Sequence, residues 1–286
     1  MLTVGVPVYN GERFLERCLQ NLCDEELDYR VVISDNASDD GTQEIARDFA
    51  SRDARLQYIR HAESVGGVRN FSSLIDVVES EFFAWRAYDD LGSPGYFTQL
   101  VNRLEERPEC TLAVGGLRYE DSDGHPPSPR MVPSHLPDDP DERRRVLFRV
   151  MAPSWMYGVF RRNELRRRFH DVVEAYPYGW AIDTALLMPF LLSGKITTVP
   201  DVHFTQWLSG ASAQRYRPTG VIEPIRMVRQ FCRYGFRCAD EIADDRRTRW
   251  KMRREVISYA NGSAEKFDRI AKRAIFWPYY KVAGRL

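Results

Sequence analysis

The chain has 286 residues, 43% hydrophobic and 29% charged, which is enough to bury a sizeable core and unlike a disordered or membrane-embedded composition. Its 41 Lys/Arg balance 41 Asp/Glu, yet from Arg215 onward 18 Lys/Arg face 8 Asp/Glu, against 23 and 33 before it. No nucleic-acid partner is expected from such a balance; the split predicts an acidic, cation-using front and a basic end that meets either an anion or solvent.

The first ninety residues alternate strand and helix. LTVGVPVY reads as a short buried strand, with Asn10 placed to cap a helix carrying Phe14, Leu15, Cys18, Leu19 and Leu22 at helical spacing. YRVVISD is a second strand, SDDGT a turn, TQEIARDFASR a helix and RLQYIRH a third strand. NFSSLIDVVES then predicts a helix and EFFAWRA a fourth strand. Strands separated by short helices mean βαβ units and a mainly parallel α/β sheet, whose ligands bind beyond the strand C-termini. YNGE, SDNASDD and YDD all fall there.

Further along, SPGYFTQLVNRLEERP predicts a helix opened by Ser93 and Pro94, and CTLAVGGLRYEDSDG a strand ending in an acidic turn. Six of the sixteen prolines lie between Pro126 and Pro140, which predicts a loop or flap. DERRRVLFRVM reads as helix, SWMYGVFRRNEL as strand then helix, and TTVPDVHFTQW as strand. Beyond about 220 the chain reads as helical, basic and aromatic. The five cysteines (Cys18, Cys23, Cys110, Cys232, Cys238) show no metal-ligand spacing, and one is left over under full pairing, which fits a reducing cytoplasm. Met1 runs straight into a strand, so no signal peptide is expected, and ALLMPFLL falls far short of the roughly 20 residues that span a bilayer.

Three acidic positions carry the chemistry. Asp35 ends a strand before small residues, where a carboxylate can accept a base N–H such as a uracil imide, or can bond its own turn. Asp89 and Asp90 follow an aromatic strand. Paired acids there can hold a divalent cation against a nucleoside diphosphate, with Asp90 on the metal and Asp89 on ribose hydroxyls or sharing the ion, or can begin a turn before the next helix. Asp183 opens an apolar helix as a general base for an acceptor hydroxyl or as a helix cap. Gly66, Gly67 and Asn70 in ESVGGVRNF form either a close-approach turn beside a nucleotide or a plain loop into a helix, and His203 is a packed strand-end histidine or a phosphate contact. The RRR runs at 143–145 and 166–168 are expected to be solvated helix faces.

Taken together and in order, VPVYNGERFLERCLQNL, VVISDNASDDGT, ESVGGVRNF, FFAWRAYDDLGSPGYF, WMYGVFRRNEL and WAIDTALLMPFLLSGKI resemble the family 2 inverting glycosyltransferases of the GT-A fold, over residues 1 to about 210. The resemblance implies a Rossmann-like sheet flanked by helices, with a catalytic domain at 1–210 and a basic helical extension at 211–286. It implies a metal-dependent, hexosyltransferase-type enzyme using Mn²⁺ or Mg²⁺. The reaction would move a sugar, expected to be UDP-linked, to a glycan or lipid-linked acceptor in cell-surface polysaccharide or glycolipid synthesis. By the same resemblance Pro7, Tyr9 and Asp35 flank the base, with Gly67 and Asn70 near the nucleotide, Asp89 meets ribose and donor, Asp90 the metal, and Asp183 is the base. Nucleotidyl transfer and non-catalytic sugar-nucleotide or glycan binding are the alternatives.

Three departures stand out. Ala87 and Tyr88 precede the acid pair where the family often has a further acid, and Ile182 stands where an acid commonly precedes the base. The usual Tyr-Arg-x-His after the last strand is replaced by Phe204 to Trp207, so the Arg and His that would meet the diphosphate are either missing or supplied elsewhere, by Arg215 or Arg217. The aromatic tail RAIFWPYYKVAGRL is expected either to rest on anionic lipid at the inner face of the plasma membrane or to pack as a helical cap.

Overall fold

The computed structural model describes residues 1–25, 28–121, 128–208, 216–220 and 222–271. β1 (Leu2–Val8) is buried at every residue because it runs between two parallel neighbours and has no solvent face. Those neighbours are β2 (Tyr29–Asp35) and β4 (Phe82–Trp85), and β2 pairs onward with β3 (Leu56–Arg60), also in parallel. β5 (Leu91–Gly92), β6 (Leu112–Asp121), β7 (Val159–Arg161) and β8 (Ile196–Leu208) complete one sheet in the order β3-β2-β1-β4-β7-β6-β8-β5. Only β7 and β5 among these strands run against the rest, so the expected mainly parallel sheet is the one observed.

Helices cover the sheet. α1 (Leu15–Cys23) turns Leu15, Cys18, Leu19 and Leu22 inward, the stripe expected of an amphipathic helix. α2 (Thr42–Arg52), α3 (Gly67–Asp76) and α4 (Tyr96–Glu106) link successive strands, and α5 (Pro140–Val150) and α6 (Arg162–Ala175) flank β7. α7 (Ile182–Ser193) is buried from Thr184 to Leu192, with Pro189 inside it. A helix apolar all round must be covered on every side. α8 (Ile222–Ile242) supplies one side of that cover, with α5, α6 and residues 153–157 on others, and α9 (Arg246–Tyr259) packs on α8. Gly235 makes the approach close, since a Cβ there would lie 2.6 Å from Val256 Cγ1 and 3.3 Å from Met188 Cε. One apolar core therefore runs from Leu2 to Ala264 without a break at residue 210.

Several local expectations need correction. Asn10 does not cap α1, whose first turn follows Phe14; Asn10 adopts φ 52° and its amide donates to Asp39 Oδ1 at 2.7 Å, clasping the turn after β2. Ser93 does not open α4. Gly95, at φ 70°, precedes that helix, and Ser93 Oγ accepts the His203 N–H at 3.0 Å. Arg144 and Arg168 are not solvated, being 4% and 5% exposed. Helical periodicity turns one residue of each triplet inward, the middle of the first and the last of the second, so that Arg144 pairs with Asp141 of its own helix and Glu255 of α9, and Arg168 with Glu164 of its own helix and Glu241 of α8. Residues 153–157 form a 3₁₀ turn, not a strand. The five cysteines are unpaired, and no described helix is long and apolar enough to cross a membrane. The aromatic tail from Arg273, part of the proline-rich loop and Arg215 lie outside the described residues.

Candidate active site

The adjacent C-terminal ends of β1, β2 and β4 form the floor of the site. Pro7 is buried on β1, opposite Ser34, and Tyr9 emerges from the strand end 43% exposed. Asp35 is fully buried, and both its oxygens are engaged. Ser38 donates its N–H and hydroxyl to Oδ1 at 2.9 and 2.6 Å, while Tyr58 and Arg60 donate to Oδ2 at 2.7 and 2.8 Å. Burial alone would raise this carboxyl, but the donors from Ser38, Tyr58 and Arg60 hold it below its ordinary value. Asn70, also buried, accepts the Ser34 hydroxyl at 2.6 Å and donates to the Ser34 carbonyl at 3.0 Å. Asp35 and Asn70 thus shape the turn after β2 and the start of α3. Gly66, at φ 85°, precedes α3, and no side chain caps that helix.

The acid pair sits at the end of β4. Asp90 is 2% exposed, and its Oδ1 accepts the Trp207 N–H at 2.7 Å. That contact exists because β5, directly after the acids, pairs antiparallel with β8 through Leu91 and Thr205. Burial first, and then the charge of Asp89, push the Asp90 carboxyl up to about 8, against the pull of the Trp207 N–H, Arg86 and Arg17. Asp89 is more open, and burial raises its carboxyl too. Behind them, Arg86 is 1% exposed and lies over the rings of Tyr96, Phe97 and Phe204 at 5.4, 4.9 and 5.2 Å. Its Nε and Nη1 have no hydrogen-bond partner among the described residues. The replaced Arg-x-His segment is structural here: Phe204 stacks on Tyr157 at 4.9 Å, and Trp207 packs on Phe14 at 5.2 Å.

Two adjacent oxygen-only donors, Asp90 buried and Asp89 half-buried, short of positive charge, fit a hard divalent cation. No group of three or more His, Cys, Asp or Glu among the described residues is arranged to hold an ion, so further ligands would come from phosphate and water. His203, half-buried on β8, has its imidazole lowered by burial and by Arg118.

Asp183 lies in the first turn of α7. It is not the cap: Ala181, at φ 59°, precedes the helix, and the Thr184 hydroxyl returns to the Ala181 carbonyl at 2.8 Å. Asp183 Oδ1 accepts the Thr184 N–H at 2.7 Å, and burial raises its carboxyl over that stabilising bond. A cavity of about 370 Å³ opens beside it, lined by Gly67, Val68 and Phe71 of α3, by Met156 and Tyr157, by Phe169 of α6, by residues 179–184, and by Pro153 and Tyr216. The cavity brings Gly67 and Asp183 together although they are far apart in sequence. The Tyr157 phenol lies in the field of all three carboxylates; burial and then Asp90, Asp89 and Asp183 push it well above its ordinary value. Tyr157, Trp180 and Arg86 are the residues that spacing did not single out. Each lies in a segment whose partner is distant in sequence.

Comparison with known proteins agrees with this layout. EpsH of Bacillus subtilis (strain 168), which carries a glycosyltransferase name, is 26% identical over 205 residues, 70% of this chain and 53% of its own. The chain therefore spans about half the length of that relative, and 33% and 42% of two others. The crystal structure of Staphylococcus aureus TarS 1-349 in complex with UDP-GlcNAc superposes with TM-score 0.70 at 15% identity, covering 91% of this chain and 72% of that one. The mannosyltransferase PcManGT of Pyrobaculum calidifontis, in complex with GDP-Man and Mn²⁺, superposes with TM-score 0.53 at 17% identity, covering 91% and 73%. These two likenesses establish the shared GT-A fold. The model of the family described as Glycosyl transferase family 2 matches residues 3–187, and with the acids of the sheet edge in place the chain belongs to that family.

Proposed function

We propose that this protein is an inverting glycosyltransferase that moves a sugar from a UDP-linked donor to an acceptor hydroxyl during synthesis of a cell-surface polysaccharide or glycolipid. The observation that carries the reading is that Asp183 and Tyr157 line one cavity and that the Tyr157 phenol lies in the field of Asp89 and Asp90 as well as Asp183. One acid pair serves the diphosphate side and one acid serves the acceptor side of an in-line displacement. Asp183 takes the proton from the attacking hydroxyl. Burial raises its proton affinity, which suits a base, and its bond from Thr184 fixes its orientation. The carbon walls of the cavity keep bulk water from competing with the acceptor.

On the donor side, Tyr9 is exposed to stack on the base, and the turn held by Asp35 and Asn70 presents backbone groups to it. Pro7 sets the end of β1, Gly67 lets the donor approach α3, and Asp89 meets the ribose. A Mn²⁺ or Mg²⁺ ion held by Asp90 with Asp89 supplies charge neutralisation for the departing diphosphate when bound. The UDP-GlcNAc bound by TarS and the Mn²⁺ bound by PcManGT support the donor class and the ion. Residues 1–210 form the catalytic part in this reading, and 211–286 an extension whose helix α8 buttresses α7 and which can meet a membrane-borne acceptor.

Screening UDP-, GDP- and dTDP-sugars by thermal shift with Mn²⁺, followed by donor turnover with and without EDTA, tests the proposal. A UDP-sugar should stabilise the protein and be consumed. Full turnover in EDTA removes the metal role, and preference for a GDP- or dTDP-sugar replaces the donor class.

A further inference from the structure

The cavity beside Asp183 is walled mainly by carbon: Phe71, Met156, Phe169 and Ile182 face it from three elements and a turn. Polar groups along the same walls are turned back into the protein. The Trp180 indole N–H donates to the Ala264 carbonyl at 2.8 Å, and the Thr184 hydroxyl to the Ala181 carbonyl at 2.8 Å. At the rim stand the Asp183 carboxylate, the Tyr157 phenol and the uncapped start of α3 at Gly67. Ile182, immediately before the base, adds a branched alkyl group beside the reacting position.

A sugar hydroxyl buried against such a wall without a partner loses affinity by roughly ten- to a hundredfold, whereas a methyl group in its place gains from leaving water. A volume of about 370 Å³ admits one sugar ring and not a long polyprenyl chain. We propose that this cavity is a subsite for an acceptor sugar whose inner edge carries a methyl group, supplied either by a 6-deoxyhexose or by the N-acetyl group of a hexosamine. The name acceptor rests on the reading of Asp183 as the base; the preference for a methyl-bearing ring stands on the walls themselves. Ile182 is the specificity-determining residue, and Phe71 and Phe169 hold the opposite face.

The test is calorimetric titration of the whole chain with the 2-hydroxyethyl glycosides of glucose, 6-deoxyglucose and N-acetylglucosamine, whose aglycone carries no methyl group, and with farnesyl phosphate as a lipid probe. One methyl-bearing glycoside should bind at least about tenfold more tightly than the glucoside, and its identity names the source of the methyl group. Ile182→Glu should bring that ratio close to one while UDP binding, read by thermal shift, stays unchanged. Ile182→Thr, which keeps the β-branch but is one heavy atom smaller and carries a hydroxyl, should lower the ratio severalfold and serves if the glutamate variant does not fold. Equal binding of all three glycosides, a ratio unmoved by the folded variant, or tighter binding of farnesyl phosphate than of any glycoside overturns the proposal. Failure of the proposed function looks different: no UDP binding by the wild type, with the glycoside ratio intact.

Discussion

The Trp207 main-chain N–H donates to Asp90 Oδ1 at 2.7 Å, so the last strand of the sheet holds the second acid of the pair. Trp207 occupies the segment where the family usually carries Arg and His. Here the segment gives Asp90 a neutral donor and no added cation beyond Arg86 and Arg17, whose pull is too weak to offset burial.

The pH dependence of stability follows from that imbalance. The folded carboxyl of Asp90 stands at about 8, above an unfolded value near roughly 3.9. Between those values the folded chain keeps a proton that the unfolded chain has released, so this group makes stability fall as pH rises through the window. Melting temperature should drop between pH 5 and pH 9 in the wild type and much less in Asp90→Asn, which retains an acceptor for Trp207. Equal drops in both proteins would show that Asp90 is not the group responsible.

A divalent cation should reverse the same effect. Mn²⁺ at the Asp89–Asp90 pair favours both ionised forms, so it should raise the melting temperature more at pH 8 than at pH 5, and EDTA should abolish the gain. Asp89→Asn should reduce the gain without lowering the stability of the ion-free protein. An identical Mn²⁺ response in Asp89→Asn and Asp90→Asn variants and in the wild type would place the ion elsewhere.

Asp183→Asn separates chemistry from binding. The amide oxygen can still accept the Thr184 N–H, so the fold of the first turn of α7 is retained. Turnover should fall by about 100- to 10,000-fold, with the affinity for the nucleotide within about twofold. Loss of less than about tenfold in kcat would remove Asp183 as the base.

Arg168 and Arg167 test burial as the determinant of an ion pair's worth. Both meet Glu164 and Glu241, but Arg168 is 5% exposed. Removing a buried partner of two carboxylates costs several kcal/mol, discounted here because the glutamates are half-exposed. Arg168→Ala should lose about 3 kcal/mol in urea unfolding and Arg167→Ala less than about 1 kcal/mol. Similar losses for both would mean that burial does not decide the difference.

Local patterning made much of the fold readable. The apolar runs at Leu2, Tyr29 and Phe82 are strands because their side chains are buried on both faces, and Thr42 to Arg52 is helical with the bounds that composition and turn residues suggest. Placement of polar residues after strands likewise pointed to Asp35, Asp89 and Asp90. The two-residue strand Leu91–Gly92 escaped detection because nothing local marks it; it exists only because β8 offers it an edge. Asp35 illustrates the same limit. Its position was evident, but Tyr58 and Arg60, which occupy its second oxygen, come from the next strand.

What the linear chain settled by itself, then, is a mainly parallel α/β sheet with acids at its carboxyl edge, because periodicity and strand-end placement are properties of neighbouring residues. What folding decided is how those acids meet. Asp90 finds Trp207, Tyr157 finds three carboxylates, and Gly67 and Asp183 share one cavity only when distant segments pack together. Proton affinity and cavity shape depend on burial and on charges arriving from elsewhere in the chain, and no local spacing contains either.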